Sequence, residues 1–494
     1  MAATCAGLEA IALDGVQISS ATLQEAGTLP PDEMSEMTGG ATTELSVGAH
    51  CLVEGVIDER EGVNGTYGIR FQLRMPTEWN GRFLYQGGGG TDGFIAPAIG
   101  AIPTNGSTAV PALVRGYAVV STNSGHQGRD VSFAADQQAR LDLGYVAIGK
   151  VTQTAKSLVR AYYEQAPDKS FFMGCSNGGR QAMMAAQRFP LEFDGVVAGN
   201  PAFHLSQAAV AGVWDVTQLR SIAPNGALPD ALTQADLDIV AAEVNAQCDA
   251  LDGIEDGIVA AFRQCKFDPE ALHGQIDEQK LQALTAIMQG PVDDQGNSLY
   301  STWPWDPGIA AAGWRMWKLG TADQPGLHET LMWPTTGAML MTPPQEVPEN
   351  PDFGDLSRAV SEVGGYMDAD DTFLTTFAQR GGKMIVFQGM ADPIFSADDI
   401  ARWHDAAVAD TGEDFAQLFM VPGLTHCGGG NATFEDFDPL TALEDWTAGG
   451  EVPTSIPARA PALPEREMPI CAWPMEAIYT GGDVNRIDSF TCSE

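Results

Sequence analysis

The residues with the clearest chemical potential lie in Gly174-Cys175-Ser176-Asn177-Gly178, where a glycine-flanked serine follows the apolar run Ser170-Phe-Phe-Met173 and precedes a helical pattern from Arg180 to Gln187. A serine on such a sharp strand-to-helix turn projects its hydroxyl above a sheet, and the glycines are required because side chains there would collide with neighbouring backbone. The hydroxyl is a weak nucleophile until an imidazole takes its proton and a carboxylate orients that imidazole. Asp392, just past the run Lys383-Met-Ile-Val-Phe387, and His426, in the glycine-rich stretch after Ala416-Gln-Leu-Phe-Met-Val421, supply both groups in the chain order serine, acid, histidine. Five rival histidines compete poorly: His126 precedes the serine, His404 sits in a helical stretch between two strands, and His204, His273 and His328 fall in or beside an irregular middle segment. G-x-S-x-G also arises as a glycine turn with a capping serine, but the strand before it and the helix after it favour a nucleophile.

Acyl transfer also needs N–H donors already aimed at the developing oxyanion. The amide of Asn177 provides one, and the glycine run after Tyr85 provides a second from Gly88 or Gly89. Gly87 to Gly90 would otherwise suit a phosphate, yet the run lacks the Lys-Ser/Thr of a P-loop and is followed by Asp92, which would repel an anion. Cys175 precedes the serine and Cys427 follows the histidine, so contact between Ser176 and His426 would bring the two cysteines within disulfide range.

These residues need a frame. From 82 to 202 short β-branched and aromatic runs alternate with helical stretches, and the rhythm returns after about 371, which predicts a parallel sheet. The serine, acid, histidine order on such a sheet is that of an α/β-hydrolase fold. Between 203 and 370 the rhythm gives way to short helices, proline-rich turns and the cluster Trp303, Trp305, Trp314, Trp317 and Trp333. The expectation is a catalytic α/β domain from 1–202 and 371–494 with a large inserted lid domain over 203–370. Trp317, and Phe395 just past the acid, are candidates to line a pocket for an aromatic acyl group.

Composition bounds the partners. The 494 residues hold 65 acidic against 26 basic side chains, a net charge of −39, which excludes binding to nucleic acid or an anionic membrane by bulk charge. Hydrophobic residues at 44% and charged residues at 18% are those of a folded chain with a large core. No run reaches the roughly 18 apolar residues of a spanning helix. The start, Met1-Ala-Ala-Thr-Cys5, has no secretory signal, but eight cysteines without a CxxC motif predict an exported protein, secreted or periplasmic, whose signal has been removed. Cys5 with Cys51, Cys248 with Cys265, and Cys471 with Cys492 make plausible staples.

Gly174-Cys-Ser-Asn-Gly-Gly-Arg180, Gly389-Met-Ala-Asp-Pro-Ile-Phe395 and His426-Cys427 together resemble the CS-D-HC arrangement of the tannase and feruloyl esterase family, which also includes enzymes that cleave the monoester of terephthalate and ethylene glycol. The resemblance spans most of the chain. It implies a Cys175–Cys427 bond and a structural calcium in a disulfide-closed lid loop, here Cys248 to Cys265, with Asp249, Asp252 and Asp256 and the carbonyls of Ile254 and Ile258 as oxygen ligands. No redox cofactor is implied. The expected activity is hydrolysis of small aromatic esters, feruloyl or galloyl in type, through an acyl-enzyme. Residues 321–350 contain no Lys or Arg, only His328, so a basic clamp for a free substrate carboxylate is not evident there, which counts against a terephthalate monoester. A serine peptidase with the same triad and a non-catalytic binding protein are the rival classes.

Overall fold

A computed structural model describes residues 3–32, 44–412 and 414–494; Met1 and Ala2 of the N-terminal stretch lie outside the described residues. One sheet of nine strands dominates. Numbering its strands alone, β1 is Val16–Gln24, β2 His50–Gly62, β3 Gly65–Pro76, β4 Arg82–Gln86, β5 Ala118–Thr122, β6 Lys169–Cys175, β7 Gly195–Gly199, β8 Lys383–Gly389 and β9 Ala416–Val421. They lie in the order β1-β2-β3-β5-β4-β6-β7-β8-β9. The first three form an antiparallel meander, and every pairing from β5 to β9 is parallel. Parallel strands are covered on both faces and read as unbroken apolar runs. Accordingly every residue of β5 and β7 is buried.

Alternation sends successive side chains to opposite faces. Phe83, Tyr85, Phe172, Val196 and Val386 join one core, packed against the helices α1 (Ala147–Tyr163) and α2 (Asn177–Arg188). Leu84, Phe171, Val197, Ile385 and Phe387 join the core on the other face, which is covered by the C-terminal segment and its small antiparallel sheets.

Residues 200–382, between the neighbouring strands β7 and β8, contribute no strand to this sheet among the described residues. They hold α3 (Leu205–Ile222), α4 (Gln234–Cys248), α5 (Glu278–Gln289), α6 (Ala312–Lys318) and α7 (Phe353–Met367). The helix α3 is apolar nearly all round because it divides two clusters: Val210 and Val213 pack with Leu340, Val360 and Phe395, while Val216 and Leu219 pack with Val240, Leu284 and Trp314. The helix α4 opens on a reciprocal capping box between Thr233 and Asp236. Past β8, α8 (Ala397–Thr411) is capped by Ser396, whose hydroxyl accepts from the amides of Asp398 and Asp399.

All eight cysteines are paired, as Cys5–Cys51, Cys175–Cys427, Cys248–Cys265 and Cys471–Cys492. No described helix is long and apolar enough to cross a membrane.

Candidate active site

Ser176 stands at the end of β6 and caps α2 with φ 60° and ψ −125°, a left-handed backbone that a non-glycine residue adopts only when its surroundings impose it. The surroundings are close. Its amide donates to the Gly199 carbonyl and its carbonyl accepts from the Ala202 amide, both at 3.0 Å, tying the turn to the end of β7. A Cβ at Gly174 would stand 2.7 Å from the Gly178 carbonyl carbon, one at Gly178 would stand 2.6 Å from the Gly88 oxygen, and one at Gly87 would stand 2.7 Å from Gly178 Cα. The motif glycines therefore interlock the Ser176 turn with the loop after β4.

Asp392 follows β8 and is fully enclosed. Its Oδ2 accepts from His426 Nδ1 at 2.9 Å, from Asn200 Nδ2 at 2.7 Å and from Gln388 Nε2 at 3.3 Å. Its Oδ1 accepts from the amides of Ile394 and Phe395 at 2.8 and 3.2 Å. Burial alone would push this carboxyl up, but the charge of His426 and these hydrogen bonds outweigh it and hold the group below its ordinary value. An Nδ1–H held by the carboxylate leaves Nε2 as the proton acceptor of the ring. The Cys175–Cys427 disulfide, with its Cα atoms 6.0 Å apart, couples the residue before Ser176 to the residue after His426.

The two aromatic candidates both reach the imidazole. Trp317, at the end of α6, meets the His426 ring edge-on at 5.3 Å between centroids, and Phe395 lies at 5.4 Å. Trp303 donates its indole N–H to the Asp392 carbonyl at 3.1 Å, so the helical segment braces the acid loop directly. Behind Trp317, His328 is buried beside Asp215, which also pairs with Lys318. His328 thus faces the interior of the helical segment, and burial lowers its pKa.

The Asn177 amide opens α2 and has no intrahelical acceptor. Of the two glycine candidates, Gly88 has its amide committed to Gln181 Oε1 at 3.0 Å, which removes it as an oxyanion donor and leaves Gly89. Beneath this loop, buried Asp92 accepts from Asn177 Nδ2 and Gln181 Nε2, both at 2.8 Å, and from the Ser124 hydroxyl. Its carboxylate therefore braces the loop instead of merely repelling anions. Arg180, fully buried, donates to Asn177 Oδ1 at 2.8 Å and to the carbonyls of Leu143, Gly144 and Met367, each at 2.9 Å. Asn200, Asp92 and Trp303 are not readable as site residues from the sequence, because each acts on a partner that only folding brings near, and Gln388, four residues before Asp392, is hidden as the polar end of an apolar strand. Asn-Pro directly after a β7-like run is the one local hint.

In the loop closed by Cys248–Cys265, Asp249 accepts from the amides of Asp256 and Gly257, Asp252 from those of Ile254 and Ala260, and Asp256 from that of Ile258. Arg466 pairs with the other oxygen of Asp256. Burial pushes the Asp252 carboxyl up to about 7, with the charges of Asp256 and Asp249 adding to the shift. Among the described residues, the set of ligand-type atoms gathered within 4.8 Å is instead His204, Asp368 and Asp370.

The sequence model of the family described as tannase and feruloyl esterase matches residues 51–493. The chain is 37% identical over 522 aligned residues to mono(2-hydroxyethyl) terephthalate hydrolase of Piscinibacter sakaiensis, covering 90% of this chain and 85% of that one. In fold it is similar to feruloyl esterase B of Aspergillus oryzae, with TM-score 0.81, 23% identity and 98% of each chain covered. It is also similar to tannin acyl hydrolase of Aspergillus niger, with TM-score 0.75, 20% identity, and 98% of this chain and 92% of that one covered. A central, mostly parallel sheet with helices inserted between β7 and β8 is the α/β-hydrolase fold with a lid that these enzymes share. The chain belongs to the tannase and feruloyl esterase family and is a carboxylic ester hydrolase.

Proposed function

We propose that this enzyme is a serine esterase acting on esters of small aromatic acids, feruloyl or galloyl in type, through an acyl-enzyme. The observation that carries the reading is the imidazole of His426, held by Asp392 on one ring nitrogen and flanked by Trp317 and Phe395. His426 Nε2 takes the proton of Ser176, the alkoxide attacks the ester carbonyl, and the oxyanion is met by the amides of Asn177 and Gly89. His426 then returns the proton to the leaving alcohol. Water, deprotonated by the same nitrogen, releases the acid. Two aromatic side chains beside the reacting histidine favour an aromatic acyl group. Residues 203–370 act as the lid domain on a catalytic domain of 1–202 and 371–494. Four disulfides suit an exported enzyme, secreted or periplasmic.

A second reading, a terephthalate-monoester hydrolase, is favoured by the 37% identical relative. Against it stand the absence of Lys and Arg from 321–350 and the inward turn of His328 towards Asp215. Release of acid from methyl ferulate, a gallate ester, terephthalate monoester and an aliphatic ester separates the readings. A ferulate or gallate preference is expected, with at least a ~10⁴-fold loss of kcat in Ser176→Ala. Preferred turnover of the terephthalate ester would select the second reading, and an active Ser176→Ala would overturn the mechanism.

The lid loop is read as the calcium site. Its donors are all oxygens, as a hard cation requires, and Asp249, Asp252 and Asp256 share the disulfide-closed loop with Arg466 paired to Asp256, which leaves net negative charge there. Asp249, Asp252 and Asp256 with the carbonyls of Ile254 and Ile258 would hold the ion, whose contribution is to neutralise that charge and fix the loop. Chelation is expected to lower the melting temperature, with recovery on adding Ca²⁺ but not Mg²⁺; an unchanged melting temperature would reject the site.

A further inference from the structure

A cavity of about 540 Å³ lies on the seam between the lid and the sheet, and no residue around Ser176 or His426 lines it. Its floor is apolar and belongs to the body: Met390, Ala397, Ala401 and Met420 are all buried. Its walls are aromatic and come from both sides of the seam. Phe262 of the lid and Trp473 of the body have rings within 8° of parallel at 6.4 Å, and Phe267 lies 5.0 Å from Trp305. Arg263, on the lid loop that Cys248–Cys265 closes, and Lys266, just past it, stand exposed. Arg263 is fixed over the Trp473 ring at 5.3 Å, with Nη1 donating to the Pro474 carbonyl at 2.6 Å. Lys266 Nζ donates to the Arg263 carbonyl at 2.9 Å. The remaining polar group is Asp398, whose Oδ2 accepts from the Thr302 hydroxyl at 2.6 Å.

We propose that this cavity is a second ligand site for a hydroxylated aromatic carboxylic acid. The ring lies over the methionine floor among the four aromatic side chains, and the carboxylate meets Arg263 and Lys266. A ring hydroxyl donates to Asp398. The size falls within the roughly 300–1,000 Å³ of small-molecule sites, and apolar walls with a few convergent polar groups are their usual build. Two cations side by side on a cavity wall are notable in a chain with 39 excess negative charges, and they select an anionic ligand. The choice of acid rests on the aromatic-ester reading above, since such an acid is its product. Because the walls come from lid and body together, the bound acid ties one to the other and raises the unfolding temperature by mass action.

The test uses the full-length enzyme treated with phenylmethanesulfonyl fluoride, whose benzyl group fills the pocket at Ser176, and titrates it with ferulate by calorimetry. Ferulate is expected to bind one site and to raise the melting temperature. Lys266→Gln, on the exposed rim, should weaken binding about tenfold, and Trp305→Ala further, while turnover of methyl ferulate by the untreated variants changes less than twofold. Terephthalate, which presents a second carboxylate to Asp398, should bind at least tenfold more weakly than ferulate. Absence of ferulate binding to the treated enzyme, or binding unaffected by both substitutions, overturns the proposal; equal binding of terephthalate overturns the role of Asp398. Mass spectrometry of the treated protein and the ester panel report on the Ser176 reading separately. Cavity binding without aromatic-ester turnover would sink that reading alone.

Discussion

Asn200 and His426 share one oxygen of Asp392, and this crowding is what keeps a fully enclosed carboxyl ionised. Removing the amide leaves the carboxylate with fewer donors in a site that water does not reach. A hydrogen bond to a buried charge contributes about 1.5–3 kcal/mol. Asn200→Ala is therefore expected to lower unfolding stability by about 2 kcal/mol, and kcat about tenfold by loosening the imidazole, with KM little changed; equal effects on KM would point to a different role. Ser176, Asp392 and His426 stand out as candidates in the sequence because each lies within a few residues of the end of an apolar run that forms a strand, a local signal. Asn200 does not, since its partner stands 192 residues away. Gly88 shows the same limit within one motif: the glycine run is visible, but which amide is already taken by Gln181 depends on packing between the loop and α2.

One of the groups that hold the two ends of the insertion together is a buried carboxyl. Asp368, just past α7, accepts from the amide of Ser206 at 2.9 Å and from its hydroxyl at 2.5 Å, pinning the segment that leaves the lid to the helix that enters it. Burial pushes this carboxyl up to about 6. The unfolded value is near 3.9, so between the two the folded state binds more protons. The stability contribution is full below the unfolded value and falls as pH rises through the folded one. Asparagine preserves both bonds without titrating, so Asp368→Asn should gain about 3 kcal/mol relative to the parent between pH 4 and pH 7.5. Denaturant titrations at the two pH values measure this, and a constant difference would refute it. The strands β4, β5, β6, β8 and β9 are readable from β-branched and aromatic runs, and α2 from the helical pattern Arg180 to Gln187. The antiparallel meander β1 to β3 is not, because β1 is largely exposed and β2 and β3 meet at an exposed turn around Val63 to Gly65, within an acidic, glycine-rich stretch.

At the scale of the molecule the surface is dominated by one sign of charge, −39 in all. Self-repulsion of this kind opposes compactness and is screened by salt, the Debye length shrinking from about 10 Å at 0.1 M to about 3 Å at 1 M. The melting temperature should accordingly rise by a few degrees between 0.1 and 1 M NaCl, measured by calorimetry; a fall would mean that attractive pairs such as Arg466–Asp256 outweigh the repulsion. The broken rhythm of the middle segment was legible as an insertion, whereas its seam with the sheet was not. Trp303, which donates to the acid loop, is indistinguishable in sequence from Trp314, which packs within the lid.

The helical segment leaves the sheet after β7 and returns at β8, and these strands are direct parallel neighbours. A chain excursion that starts and finishes at one place asks little of its host, whose own pairings stay intact, and loop-closure entropy grows only slowly with the length inserted. Ser176, Asp392 and His426 all lie outside the excursion, while Trp317 lies within it. On the proposed reading the reacting groups come from the host and one aromatic wall, Trp317, from the excursion, with Phe395 of the host opposite, so exchanging that one contiguous segment changes part of the pocket while the proposed triad stays in place.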